Sequence, residues 1–191
     1  SGSREGSLLA AIDRTVTAPG GRLLAARLAR PLLDPAAIDA RLDAVAWFCE
    51  HRPQRQKLRE ALKGLGDMAR ALSRLALGRG GPRDLGCLKD GLASGEAVAA
   101  LFAATRDPLI QPPAEVAAAL ADFNPALHDE LAQFRALLVE GLGDDLPSLA
   151  RDGGFVEPGI RPELDQARAL RDDSRRVIAQ LEARLVAESG V

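Results

Sequence analysis

The residues best suited to acid–base or metal chemistry are few in this sequence and poorly placed. It contains two histidines, His51 and His128, and two cysteines, Cys49 and Cys87. Cys49 and His51 could form a ligand or catalytic pair, but residues i and i+2 of a helix point in different directions. The cysteines show no Cys-x-x-Cys spacing, so neither a zinc site nor a disulfide framework is indicated. His128, beside two acidic residues, is expected to be solvated.

Neighbouring carboxylates occur at Asp144-Asp145 and at Asp172-Asp173. Adjacent residues do not converge on one reacting atom, so we interpret both pairs as solvated surface rather than as an acid–base pair. The pattern GxxxxGK[ST], which forms a phosphate-binding loop, is absent from the sequence. We therefore predict no catalytic, cofactor-binding or metal-binding residue within residues 1–191.

The composition favours an all-α protein. Of the 191 residues, 47% are apolar and 27% are charged, which is ordinary for a globular chain. Alanine, leucine and arginine are abundant, and these residues form helices readily. Aromatic residues make up only 3%, without a single tyrosine, which argues against a stacking surface for single-stranded nucleic acid.

Charge is distributed unevenly along the chain. Residues 1–89 carry 16 Lys and Arg against 9 Asp and Glu, whereas residues 90–191 carry 9 against 18. A basic half could contact DNA phosphates. However, basic residues do not cluster in long runs, so we favour solvated helix faces or surfaces that complement other segments. Whether any arginine in residues 1–89 contacts a DNA phosphate is left open by the sequence.

The segment "TVTAPGG" separates two short apolar helical patterns and resembles the turn of a DNA-binding helix pair. A recognition helix needs polar side chains that read base edges. The following stretch, "RLLAARLAR", offers only Arg22, Arg27 and Arg30 among apolar residues. We therefore interpret the segment as a structural corner, where Pro19 begins the second helix and the glycines allow close approach of the backbone.

Helix signals recur from residue 34 onward. Asp34 and Pro35 form an N-cap followed by proline, and Leu33 with Ile38 occupies the positions of a hydrophobic staple. One apolar helical stripe is then predicted at Ile38, Leu42, Val45 and Cys49, with Trp47 and Phe48 beside it. Pro82 starts another helix, which its interior glycines should weaken or interrupt.

The C-terminal part divides into a turn and a long helix. Asp152-Gly153-Gly154 is strong turn chemistry, so we predict at most a short hairpin near 151–158. From Pro162 onward neither glycine nor proline interrupts the helical pattern up to residue 189. We predict a helical core over 1–161 and a long helix over 162–191 that projects from the body or lies against absent partners.

The sequence shows neither a signal-peptide pattern nor an apolar run of about 18 residues. We therefore expect a cytoplasmic protein without a membrane segment. It begins Ser-Gly without methionine, and we expect it to be part of a longer chain.

Three segments, in this order, resemble the MutS family of mismatch-recognition ATPases. They are "GSLLAAIDRTVTAPGGRLLAARLARPLLDPAAIDARLDAV", "GLGDMARALSRLALGRGGPRDLGCLKDGL" and "LARDGGFVEPGIRPELDQARAL". The first resembles the opening of the family's core, or lever, domain. The third resembles the passage before the helix that leads to the DNA clamp. The match is specific because the segments span almost the whole chain.

The resemblance implies a mechanical role for this chain, as the first half of the lever domain. It implies that mismatch reading and ATP hydrolysis with Mg belong to other domains, so this chain alone would not be an enzyme. The parent protein would bind mismatched double-stranded DNA, form a homodimer and engage a MutL-type partner. This chain alone is expected to self-associate through exposed apolar helix faces. The alternatives are a free-standing helical protein-interaction module and a helical DNA-binding regulator.

Overall fold

The computed structural model describes residues 5–103, 110–123 and 129–189, and these residues form helices joined by turns and loops. The all-α prediction is confirmed. In chain order the described helices are α1 (Leu8–Ile12), α2 (Ala18–Ala29), α3 (Pro35–Glu50), α4 (Arg52–Leu62), α5 (Met68–Ala76), α6 (Pro82–Ala103), α7 (Ala114–Ala121), α8 (Asp129–Gly141) and α9 (Pro162–Ser189). His128 lies outside the described residues, and so does Asn124-Pro125, a cap-plus-proline pair typical of a helix start.

The starts of the early helices follow the local chemistry of the sequence. Thr17 caps α2 by accepting a hydrogen bond from the Gly20 amide at 3.1 Å, so the glycines lie in the first turn. Asp34 caps α3 in the same way, as predicted. The staple prediction is wrong, because Leu33 is 92% exposed.

A first core forms where α5 and α8 pack on the N-terminal half of α6. Its buried residues come from these three helices and the chain just after α8; they are Ala71, Leu88, Leu92, Leu138 and Leu142. Met68 and Leu75 pack against this cluster, whereas Leu72, on the same helix, is 58% exposed. An ion pair of 3.1 Å between Arg135 and Glu96 also joins α8 to α6.

A second group of helices, α3, α4 and α7, surrounds the C-terminal half of α6. Trp47 is its buried centre, with the rings of Phe48 and Phe102 at 4.9 and 6.0 Å. The apolar stripe predicted on α3 is largely exposed: Leu42 by 59% and Val45 by 60%. The indole of Trp47, which has the largest apolar area on this helix, lies inside.

Helix α6 is continuous for 22 residues, so the predicted interruption at its glycines is wrong. Gly86, Gly91 and Gly95 are buried, and each lies against a bulky side chain from another part of the chain. A Cβ atom at these positions would overlap Leu146, Met68 and Phe123, respectively. Close packing therefore offsets the low helix propensity of glycine.

The segment between α8 and α9 contains no local hairpin among its described residues. A short 3-10 turn at Ala150–Asp152 is followed by Gly153 and Gly154, whose φ angles are 69° and 78°. Val156 then forms an isolated antiparallel bridge with Leu142. The turn chemistry was predicted correctly, but the extended residues pair with the end of α8.

Helix α9 has 28 residues, about 40 Å at 1.5 Å per residue. Its side chains are exposed at every position from 169 to 187. The apolar ones lie mainly on one side and include Leu170, Val177, Ile178, Leu181 and Leu185. None of the helices in the described part of the chain is long and apolar enough to cross a membrane.

Substitution of Gly95 by alanine tests the packing role of the glycines. We expect Gly95→Ala to destabilise the protein by about 1–2 kcal/mol, because overlap with the Phe123 ring outweighs the gain in helix propensity. Urea unfolding at equilibrium measures this difference.

The matched control is the same change in a Phe123→Ala background, where the overlap is removed. There, Gly95→Ala should be neutral or stabilising. An equal loss in both backgrounds would show that packing against Phe123 is not the reason for glycine.

Candidate functional site

Of the histidines and cysteines considered for acid–base or metal chemistry, the structure describes Cys49, His51 and Cys87. Cys49 is exposed, whereas Nδ1 of His51 lies 2.8 Å from the carbonyl oxygen of Trp47. The imidazole stacks on the indole of Trp47 with ring centroids 4.4 Å apart, so His51 belongs to the end of α3. Burial, together with nearby carboxylates, raises the pKa of the Cys87 thiol, which disfavours the nucleophilic thiolate.

The two acidic pairs are separate and exposed. Asp172 accepts a hydrogen bond from Arg171 at 2.9 Å, which lowers the pKa of its carboxyl group, and Asp173 pairs with Arg176 at 2.9 Å. Asp144 and Asp145 lie on the surface after α8. Across the described residues, His, Cys, Asp and Glu side chains do not gather in a group that could hold a metal ion.

Many arginines of the basic half make bonds within the protein. Arg55 donates to the carbonyl of Phe48, and Arg83 donates to that of Leu146. Others form the ion pairs Arg22–Asp67, Arg27–Glu115 and Arg74–Asp84. These contacts favour a structural role for those arginines, while phosphate contact stays a prediction.

Helix α9 is attached to the body by a set of backbone and side-chain bonds. We call this region the junction and define it as residues 141–143 and 155–168. The chain after α8 pairs with the chain before α9: the Gly143 amide donates to Phe155, and the Glu157 amide donates to Gly141. These bonds measure 3.0 and 2.9 Å. Leu142 is buried at this point, and Phe155 packs against the first core.

Two charged side chains of α9 fasten the helix to this junction. Asp165 accepts a hydrogen bond of 2.7 Å from the Gly159 amide, and Arg168 donates one of 2.7 Å to the carbonyl of Val156. Asp165 and Arg168 also pair with each other at 3.2 Å. Gly159 has a φ of 87°, a conformation that favours glycine, and this turn directs its amide toward Asp165.

The junction is built from directional bonds within the first two turns of α9. It meets the first core through Leu142, which is buried there, and Phe155, which packs against it. Neither Asp165 nor Arg168 was predicted from the sequence, although their i, i+3 spacing just after Pro162 was a readable signal.

A second electrostatic contact joins α2 to α5. Asp67 caps α5 by accepting a hydrogen bond from the Arg70 amide, and its carboxylate lies 2.7 Å from the guanidinium of Arg22 on α2. The hydrogen bond from Arg22 is the main cause of a lowered pKa for Asp67, and partial burial opposes it. This ion pair attaches the N-terminal helices to the first core.

Comparison with known proteins identifies the family. The model of MutS domain III matches residues 1–189. The DNA mismatch repair protein MutS of Caulobacter sp. (strain K31) is 69% identical over 190 residues, and that of Caulobacter vibrioides is 69% identical over 191. The corresponding protein of Rhodopseudomonas palustris is 52% identical over 190 residues. Each match covers 100% of this chain but only 20–21% of the relative, so the chain spans about a fifth of their length.

The junction predicts a local effect of replacing Arg168. Arg168→Met should lower the free energy of unfolding by about 1 kcal/mol, because the Val156 carbonyl and Asp165 lose a charged donor. Hydrogen exchange should accelerate at Gly159 and Glu157, where the junction loosens. Arg175→Met, an exposed change farther along α9, is the control. Exchange that rises equally in both variants would contradict the assigned role.

The lowered pKa of Asp67 predicts that the stability of the fold depends on pH. Its folded-state pKa lies below the ordinary value of 3.8, so the ionised carboxylate stabilises the fold above that value. This contribution is lost as the pH falls through the folded-state pKa. Asp67→Asn should therefore lower stability at neutral pH, and the difference from the parent should vanish well below pH 3.8. Urea unfolding over that range measures it, with exposed Asp43→Asn as the control. A pH-independent difference would argue against the ion pair as its source.

Proposed function

Because the chain belongs to the MutS family and corresponds to its domain III, we propose that it is the structural, signal-transmitting core and lever segment of a mismatch-recognising DNA repair ATPase. The observation that carries this proposal is the long helix α9. It is fastened to the body within its first two turns and exposed from residue 169 to residue 187. Such an element couples motion at its far end to the core.

In this proposal, the parent protein binds mismatched double-stranded DNA and hydrolyses ATP with Mg through segments outside residues 1–191. The parent would be a cytoplasmic homodimer that engages a MutL-type repair partner. In this proposal, the role of residues 1–191 is mechanical. They supply two packed groups of helices and a projecting helix whose orientation both distant sites would influence.

The exposed apolar side of α9 indicates that another segment covers it. Val177 and Ile178 are 52% and 54% exposed, and Leu181 and Leu185 are 53% and 64% exposed. Contiguous apolar surface of this kind favours association. In the parent we propose that another helical segment covers it, and in the isolated chain a second copy does so. A free-standing interaction module is the alternative, and it would use the same surface.

An aspartate at Ile178 in the full-length protein tests the lever proposal. A buried charge would disturb packing on α9 while leaving distant nucleotide contacts intact. We expect Ile178→Asp to reduce the effect of a mismatch on the ATPase rate about fivefold or more, with ATP affinity unchanged.

Ala183→Asp places the same charge on the opposite side of α9 and should leave the coupling intact. Steady-state ATPase rates with matched and mismatched duplexes provide the measurement. A normal mismatch response in the Ile178→Asp protein would refute the lever proposal.

Self-association of residues 1–191 is a separate prediction. Sedimentation equilibrium should show a concentration-dependent dimer, because pairing removes the apolar side of α9 from water. Leu181→Asp should weaken the dimer at least about tenfold, since it introduces a charge into the contact. Ala183→Asp again serves as the control. A strict monomer at high concentration would contradict this prediction.

A further inference from the structure

Helices α1 and α2 form a part of the chain with its own internal bonds, which we call the N-terminal unit and define as residues 7–29. The two helices contact each other. Between them, the carboxylate of Asp13 accepts hydrogen bonds from the amide and the hydroxyl of Thr15, at 2.9 and 2.7 Å. Gly21 of α2 lies against these same two side chains. These bonds belong to the unit itself, so the unit can keep its shape when its contacts with the body change.

Charged side chains attach the N-terminal unit to the body. These contacts include Arg22 with Asp67 at 2.7 Å, Arg27 with Glu115 at 2.8 Å, and Arg59 of α4 with the carbonyl oxygen of Arg14 at 2.8 Å. The side chains of Arg22 and Arg27 are 42% and 41% exposed. Water and salt therefore reach both ion pairs, and such pairs weaken as the ionic strength rises.

Apolar burial contributes little to this attachment. Neither α1 nor α2, both described in full, contains a buried residue. On α2, Leu23 is 54% exposed and Leu28 is 38% exposed, while Leu24 is half-buried. Helices α5, α6 and α8, by contrast, bury side chains in the first core. The N-terminal unit is therefore the part of the body in which charge, rather than packing, supplies most of the attachment.

The linker between α2 and α3 is suited to act as a hinge. Helix α2 ends at Ala29, and Asp34 caps α3. In the described part of the chain, the backbone of residues 31–33 makes no hydrogen bond, and Leu33 is 92% exposed. A rotation within this linker would break no backbone hydrogen bond. Local opening occurs in such regions, where buried apolar contacts are few and the bonds that hold a segment are accessible to water.

We propose that the N-terminal unit is a conformational device that detaches from the body, turning about residues 30–34, while the body stays folded. Arg22 and Arg27 hold it in the attached state. Low ionic strength favours attachment, and added salt shifts the equilibrium toward the detached state. Detachment uncovers the carboxylates of Asp67 and Glu115 at the starts of α5 and α7. The proposal is independent of the lever role of α9, because it concerns other helices and other contacts.

Hydrogen exchange in the full-length protein tests this proposal. Mass spectrometry compares peptides from α2 with peptides from α6 at about 0.05 and about 0.5 M KCl, where the screening of exposed charges differs most. We expect exchange in α2 to accelerate about tenfold at the higher salt concentration, and exchange in α6 to stay the same. An equal acceleration in both helices, or an unchanged rate in α2, would overturn the proposal.

Variants of the two arginines identify the contacts responsible. Arg22→Met and Arg27→Met should each accelerate exchange in α2 about threefold at low salt, because methionine removes the charge and keeps much of the apolar stem. The double variant should lose most of its response to added salt. Exchange in α6 shows in the same samples that the body is folded.

Arg70→Met is the matched control for these variants. Arg70 lies 3.4 Å from the carboxylate of Asp67 but belongs to α5 itself, so its loss removes an ion pair without touching the N-terminal unit. Exchange in α2 should therefore stay unchanged in this variant. An Arg22→Met, Arg27→Met double variant that responds to salt as strongly as the parent would reject charge as the cause of attachment.

The exchange result can be separated from the lever test. It requires neither DNA nor ATP, whereas the lever proposal is judged by the response of the ATPase rate to a mismatch. Detachment of α2 by salt, together with a normal mismatch response in Ile178→Asp, would retain the conformational device and reject the lever. The opposite pair of results would reject only the conformational device.

Discussion

Close packing against the backbone of α6 is the constraint on which the rest of the body depends. Gly91 accommodates Met68 of α5, and Gly95 accommodates Phe123 after α7. The N-terminal half of this helix belongs to the first core, and its C-terminal half carries the group around Trp47. One uninterrupted helix therefore joins both groups. Because interiors are densely packed, the positions of the two groups depend on each other through this helix.

The junction of α9 shows how a polar helix is fastened to such a body. Helix α9 contributes few buried side chains, so directional bonds replace packing: Asp165 holds the Gly159 amide, and Arg168 holds the Val156 carbonyl. Directional hydrogen bonds fix the angle between α9 and the body. Apolar contact alone would not fix this angle. The antiparallel bridge between Leu142 and Val156 links these bonds to the first core, because Leu142 is one of the buried residues of that core.

Much of this arrangement could be predicted from the sequence because its signals are local. The cap at Asp34 and the uninterrupted run from Pro162 each depend on neighbouring residues. The errors share a different cause. Gly95 weakens an isolated helix, and only the ring of Phe123 shows why it is tolerated. Likewise, periodicity located an apolar stripe on α3 but could not reveal that Trp47, on another side, would fill the interior. Periodicity identifies an apolar face, not what covers it.

The two exposed apolar surfaces therefore have different physical meanings. The side of α9 is long and narrow, and it lies on an element whose neighbouring faces are polar, which suits a second helix laid along it. Beside α3, Leu42, Val45 and Phe48 form part of a concave apolar surface, at whose edge Arg27 and Arg41 share Glu115. A contact along α9 would follow the direction of that helix, whereas a contact beside α3 would involve the body alone.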